Sequence, residues 1–111
     1  MSLPSAAYTL IHGAMLAEKQ VHCVYKGHAR ELCPVILGHS DGAEKLLAFQ
    51  VGGTSSTGLP RGGEWKCLYL AKVRDPQMAD GPWREGDRHS QQQSCVKEVD
   101  IDINIHVRKR R

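Results

Sequence analysis

The sequence predicts a mainly β (α+β) domain, one N-terminal helix followed by a five-stranded antiparallel sheet that curls into a partly open small barrel. Three features predict it. Residues 6–19 carry apolar side chains at helical spacing. Four strand-like runs follow between residues 20 and 73, joined mostly by turns too short for parallel crossovers. Residues 99–107 alternate apolar and polar residues with period two.

Each element has its own warrant. In residues 6–19, Tyr8, Ile11 and Met15 form one helical row, and Leu10, Ala14 and Ala17 another, with Ser5 placed to cap the start. Val21, Cys23 and Tyr25 then alternate as a strand that ends at a turn, Lys26-Gly27-His28. Residues 29–38 read as its partner, and Pro34 within them calls for an edge or a bulge because proline has no amide to give a ladder. Asp41-Gly42 is a strong hairpin signal. Residues 44–51 form the third strand and residues 64–73 the fourth, with Trp65, Cys67 and Tyr69 on one face and Leu68 and Leu70 on the other. Residues 74–98 are expected to be a long polar connection, in which Trp83 pins the loop to the sheet. In the last strand Val99, Ile101, Ile103, Ile105 and Val107 form the buried face. Arg108 to Arg111 make a basic tail.

Composition bounds the function. The 111 residues suit one domain, residues 1–111, and the 41% hydrophobic share suits a globular core. The formal charge is +3, and much of it sits in the basic tail, so charge alone argues weakly for nucleic acid. No apolar run approaches the roughly 18 residues of a membrane span, and no leader pattern opens the chain. A cytoplasmic protein with no membrane association is the expectation. Cys23, Cys33, Cys67 and Cys95 lack CxxC spacing, so they read as small buried hydrophobes, with a zinc site or a redox pair as the alternatives. The six histidines show neither HxH nor HExxH spacing, and no metal or cofactor is expected. Catalysis has little support. G-x-S-x-G is absent, and Asp100 and Asp102, about 7 Å apart at ~3.3 Å per residue, read as charge guarding a sheet edge.

The stretch GGTSSTGLPRGG, residues 52–63, tests the phosphate-loop reading. It lacks Gly-Lys-Ser/Thr and is followed by a strand rather than a helix, so neither the nucleoside-triphosphate loop nor the dinucleotide fingerprint fits. It reads as a hairpin loop. The alternative is a loop whose amides, hydroxyls and Arg61 line a site for an anionic ligand.

The series Tyr25, then Arg30 and Pro34 as R-x3-P, then Leu46 to Gln50, then Trp65 to Val73 resembles the WYL domain. This bacterial module takes its name from a Trp-Tyr-Leu triplet, and the resemblance covers roughly residues 6–73. Lys45-Leu46-Leu47 stands where the triplet falls, and Lys72 where the family tends to carry arginine. The resemblance implies an Sm-like small barrel that senses nucleic-acid-derived or other polar ligands. It implies a stand-alone relative without the usual helix-turn-helix, with a transcription regulator as a possible partner.

The ligand face expected from these residues comprises Tyr25, Arg30, Gln50, Arg61, Trp65 and Lys72. Arg30 offers a fork for an anion, the plain alternative being a solvated strand end. Trp65 offers a stacking surface or a half-buried packing residue, and Gln50 a polar reader or a loop cap. The function implied is a non-enzymatic sensor of a nucleotide or single-stranded nucleic acid. The alternative is an interaction module whose open sheet edge or Trp83 loop docks a partner protein or a second copy.

Overall fold

The computed structural model describes residues 3–53, 63–81, 83 and 93–103. Helix α1, Ala6–Ala17, starts where the Ser5 hydroxyl accepts the Tyr8 amide at 3.1 Å. It stops where Glu18 turns left-handed (φ 54°), its amide donating back to Met15 O. Its buried row is Ile11, Ala14 and Met15.

Among the described residues six strands follow: β1 Gln20–Tyr25, β2 His28–Ser40, β3 Ala43–Gly53, β4 Glu64–Tyr69, β5 Val73–Ala79 and β6 Glu98–Asp102. Both expected tight turns are present. Lys26-Gly27 (φ 52° and 79°) and Asp41-Gly42 (φ 52° and 84°) are two-residue turns with positive φ at both positions, the form whose twist matches a hairpin. All ladders are antiparallel, in the order β4-β3-β2-β1-β5, with β6 paired to β2.

β2 organises the sheet. One edge pairs with β3 from Arg30 to Ser40. The other edge is divided, pairing with β1 through Leu32 and with β6 from Ile36 to His39. Pro34 lies between the two segments, beside a register shift on the β3 side. A proline thus sits inside a central strand where the ladder is already interrupted, the bulge and not the edge of the two sequence expectations.

Three sequence expectations are corrected. Among the described residues the antiparallel sheet has six strands, one more than expected, and is not closed. Arg74–Ala79, read as part of the polar connection, continues β5 and pairs with β1. This strand has little apolar patterning because most of its side chains face solvent, and it carries an irregularity at Asp75 and Pro76, opposite Cys23. The final strand ends at Asp102, and residues 104–107 lie outside the described residues. Ile101 and Ile103 are buried as expected, but Val99 is 44% exposed. Asp100 is an extra residue opposite the Leu37/Gly38 step, and a bulge there breaks the strict alternation.

The core lies between α1 and the inner face of the sheet. Leu32, Leu37, Leu46, Leu68, Val21 and Met15 are almost completely buried in it. On the opposite, outer face, register sets three rows side by side: Phe49 with Trp65, Leu47 with Cys67, and Gly38 with Lys45 and Tyr69. The segment before β6 crosses this face. A Cβ on Gly38 would fall 1.9 Å from the Glu98 carbonyl oxygen and 2.8 Å from Val96 Cγ1. Gly38→Ala is therefore expected to cost about 1–3 kcal/mol and to lower Tm by several degrees in a thermal melt. An unchanged Tm would mean that the crossing is not this close.

Candidate functional site

Tyr25, Arg30 and Gln50 meet at one end of the sheet. Tyr25 ends β1, Arg30 is the third residue past the first turn, and Gln50 is on β3, in register with Leu32. Arg30 is only 6% exposed, which excludes the solvated strand end expected by default. Its Nε and Nη2 donate to Tyr25 O at 3.3 and 3.2 Å, and its Nη1 donates to Gln50 Oε1 at 3.1 Å. Gln50 in turn donates to Gly52 O at 2.9 Å, so it also serves the loop-capping role. The guanidinium carbon lies 5.4 Å from the centre of the Tyr25 ring. All of these partners are neutral, and three of the five donors of the guanidinium are used among the described residues.

A second tyrosine extends the group. The Tyr25 hydroxyl accepts the Tyr69 amide at 3.0 Å. Lys45 Nζ lies 3.9 Å from the Tyr69 ring centre and Lys72 Nζ 5.6 Å from it, while Lys26 Nζ lies 5.7 Å from the Tyr25 ring. Four cations therefore surround two linked tyrosines, and among the described residues none of the four makes an ion pair. Tyr69 remains 44% exposed.

The sequence-predicted residues divide accordingly. Tyr25, Arg30 and Gln50 are in direct contact, and Lys72 joins them through Tyr69. Trp65 packs edge-on against Phe49 (5.3 Å, 71°), the half-buried packing role, on the same outer face as Tyr69. Arg61 and the rest of residues 54–62 lie outside the described residues. Trp83 is half-buried against the core, in line with a pinning role. Sequence reasoning missed Lys26, Lys45 and Tyr69. The alternation that placed Tyr69 on the Trp65 face was visible, but the neighbouring β3 row that brings Lys45 to it was not.

The cysteine expectation holds for two residues and fails for two. Cys23 and Cys33 are buried thiols. Cys67 and Cys95 form a disulfide, their Cα atoms 5.7 Å apart, because the segment before β6 passes over the outer face of β4. Burial pushes the Cys23 thiol up to about 11, with the Arg30 charge pulling the other way. A thiol held protonated in this way is a poor nucleophile at neutral pH.

A separate polar cluster joins α1 to the far end of the sheet. Tyr8 donates its hydroxyl to Asp100, and His39 Nδ1 lies 3.1 Å from the same carboxylate. Ser5 donates its hydroxyl to Glu44 at 2.5 Å. Asp100, expected as edge-guarding charge, is instead the pivot of this joint. Burial first, then the hydrogen bond and charge of Asp100 and the charge of Glu44, push the Tyr8 hydroxyl far above its ordinary range. Among the described residues no trio of His, Cys, Asp or Glu is placed to hold a metal, and no helix is long and apolar enough to cross a membrane. Comparison with known proteins finds no family model, curated protein or solved structure that matches the chain.

The two raised groups set an alkaline limit. Both Cys23 and Tyr8 hold their protons more tightly folded than unfolded, so their contribution is intact below pH 9 and lost above it. Stability is expected to fall by about 1.4 kcal/mol per pH unit from Cys23 between pH 9 and 11, and less steeply from Tyr8 above pH 10, because solvent screens that partly exposed group. Urea melts across this range should show the fall. In Cys23→Ala, whatever its absolute stability, the decline between pH 9 and 10 should disappear. A decline that persists there would assign it to another group.

Proposed function

We propose that this chain is a cytoplasmic, non-enzymatic binding module for an anionic ligand, nucleotide-like or nucleic acid, on a small Sm-like barrel similar to the WYL domain. One observation carries the reading. Lys26, Arg30, Lys45 and Lys72 are gathered on Tyr25 and Tyr69 without an ion pair among the described residues. Unpaired cations beside an exposed aromatic ring suit a ligand that offers both phosphate charge and a π face. The barrel reading is supported by the strand order β4-β3-β2-β1-β5, with the short 3-10 turn Leu70–Lys72 leading from β4 back to β5 at the opposite end. The non-enzymatic reading is supported by the protonated Cys23 thiol and by the mutual engagement of Tyr8, His39 and Asp100.

A second reading is an interaction module, and one feature favours it. Met78 (43% exposed) lies beside Gly13 where α1 packs on β5, and Leu16 (55% exposed) follows Gly13 three residues along the same helix. A second copy of the chain docked there would sediment as a dimer, and a strictly monomeric profile would count against it.

The binding reading is tested at low salt with nucleotides, short single-stranded DNA and RNA, and inorganic anions. A ligand at a hundredfold excess over its Kd should stabilise the fold by about 2.7 kcal/mol. Tyr69→Ala should weaken single-strand binding by roughly fivefold or more, the loss of one stacked base. Lys72→Ala should reduce the slope of log affinity against log salt by about one. No stabilisation by any of these ligands would sink the proposal.

A further inference from the structure

The cation–tyrosine face is crossed by a strap, residues 93–97, that leads into β6. The disulfide fastens Cys95 of the strap to Cys67, which lies on β4 midway between Trp65 and Tyr69 on the outer face. One residue on, Val96 overlies Gly38, in the same row as Lys45 and Tyr69. The strap thus runs diagonally over the Leu47–Cys67 row and along the Lys45 row. This explains why Lys45, a lysine on the outer face, is only 8% exposed.

Besides the disulfide, the strap is held by Val96, which is 2% exposed in the core and is bonded at its amide and carbonyl by the Gln93 side chain, and by a few polar contacts near Cys95. Ser40 Oγ donates to Cys95 O at 2.8 Å and accepts the Lys97 amide at 3.0 Å, and Lys97 pairs with Asp41 at 3.1 Å on exposed side chains. Such surface pairs contribute little. Anchorage beyond the strap is strong, since Ile101 and Ile103 are buried and β6 is laddered to β2. Cys67 is exposed, whereas the other two cysteines are buried thiols.

We propose that the Cys67–Cys95 disulfide is a redox latch on this strap, and that its reduction uncovers Lys45 and Leu47 and strengthens anionic-ligand binding at Tyr69. The inference rests on the binding reading above. The reductant is a dithiol. Its thiolate attacks Sγ of Cys67, and the sulfur–sulfur bond breaks with Cys95 leaving as a thiolate. The second thiol of the reductant then closes its own disulfide and releases Cys67. Both cysteine sulfurs take up protons, and two electrons have passed from the dithiol to the protein.

The test compares the full chain oxidised, the full chain reduced with dithiothreitol, and the C67S/C95S double variant, each with two readouts. The first is amide hydrogen exchange. Exchange at residues 94–97 should rise at least tenfold on reduction and in the double variant, while Ile101 stays protected. Equal exchange in all three forms overturns the latch. The second is the affinity for a fluorescent single-stranded oligothymidylate at low salt. Affinity should rise at least threefold on reduction and fall at least fivefold in Tyr69→Ala in either state. Binding that depends on Tyr69 but is equal in both redox states overturns the coupling and leaves the binding reading standing. Binding in neither state overturns the binding reading and the coupling with it.

Discussion

The organising constraint is that β2 must satisfy backbone groups along both edges for thirteen residues. β3 serves one edge, while β1 and β6 share the other, and Pro34 marks the place where one gives way to the next. Everything that positions the candidate site follows from this division. The β1 segment brings Tyr25 against Arg30, and the β3 ladder carries Gln50 and Lys45. The β6 segment, to reach its half of β2, must draw the preceding residues over the outer face.

The charge arrangement has its own logic. Burying a guanidinium is costly unless its donors are met, and a carboxylate partner would repay the cost at the expense of any outside anion. Here the partners are a carbonyl, an amide oxygen and a ring. They fix the orientation of Arg30 while leaving its charge uncompensated among the described residues. Lys45 and Lys72 repeat the pattern on Tyr69. Cation–π contacts of this kind are worth about 0.5–2 kcal/mol, enough to order a lysine without neutralising it.

Much of this fold was legible in the sequence. Helix α1, both two-residue turns and the two faces of β4 follow from apolar spacing and from glycine placement, which are local signals. Strand β5 was not legible, because it meets β1 through its backbone while most of its side chains face water, so no periodicity marks it. The disulfide was hidden for a related reason. It depends on a crossing of the sheet that only the tertiary path creates. Of the candidate residues, Tyr25, Arg30, Gln50 and Lys72 were expected from the sequence, whereas the pairing of Lys45 with Tyr69 required the β3–β4 register. The burial of Arg30 also escaped, since a charged residue just past a turn gives no sign that it points inward.

The divided edge of β2 has a consequence for the chain as it is made. The hairpins that join β1, β2 and β3 need only two-residue loops, and such local pairs form within about 1–10 μs. Strand β6 comes from far along the sequence, so during synthesis the second half of that edge stands open after its neighbours have closed. Until the last strand arrives, Ile36 to His39 present unpaired amides and carbonyls beside an apolar surface, the conditions under which another nascent chain can add a strand of its own. The hazard is brief and self-limiting, for the molecule's own C-terminal segment is tethered nearby and competes at high local concentration.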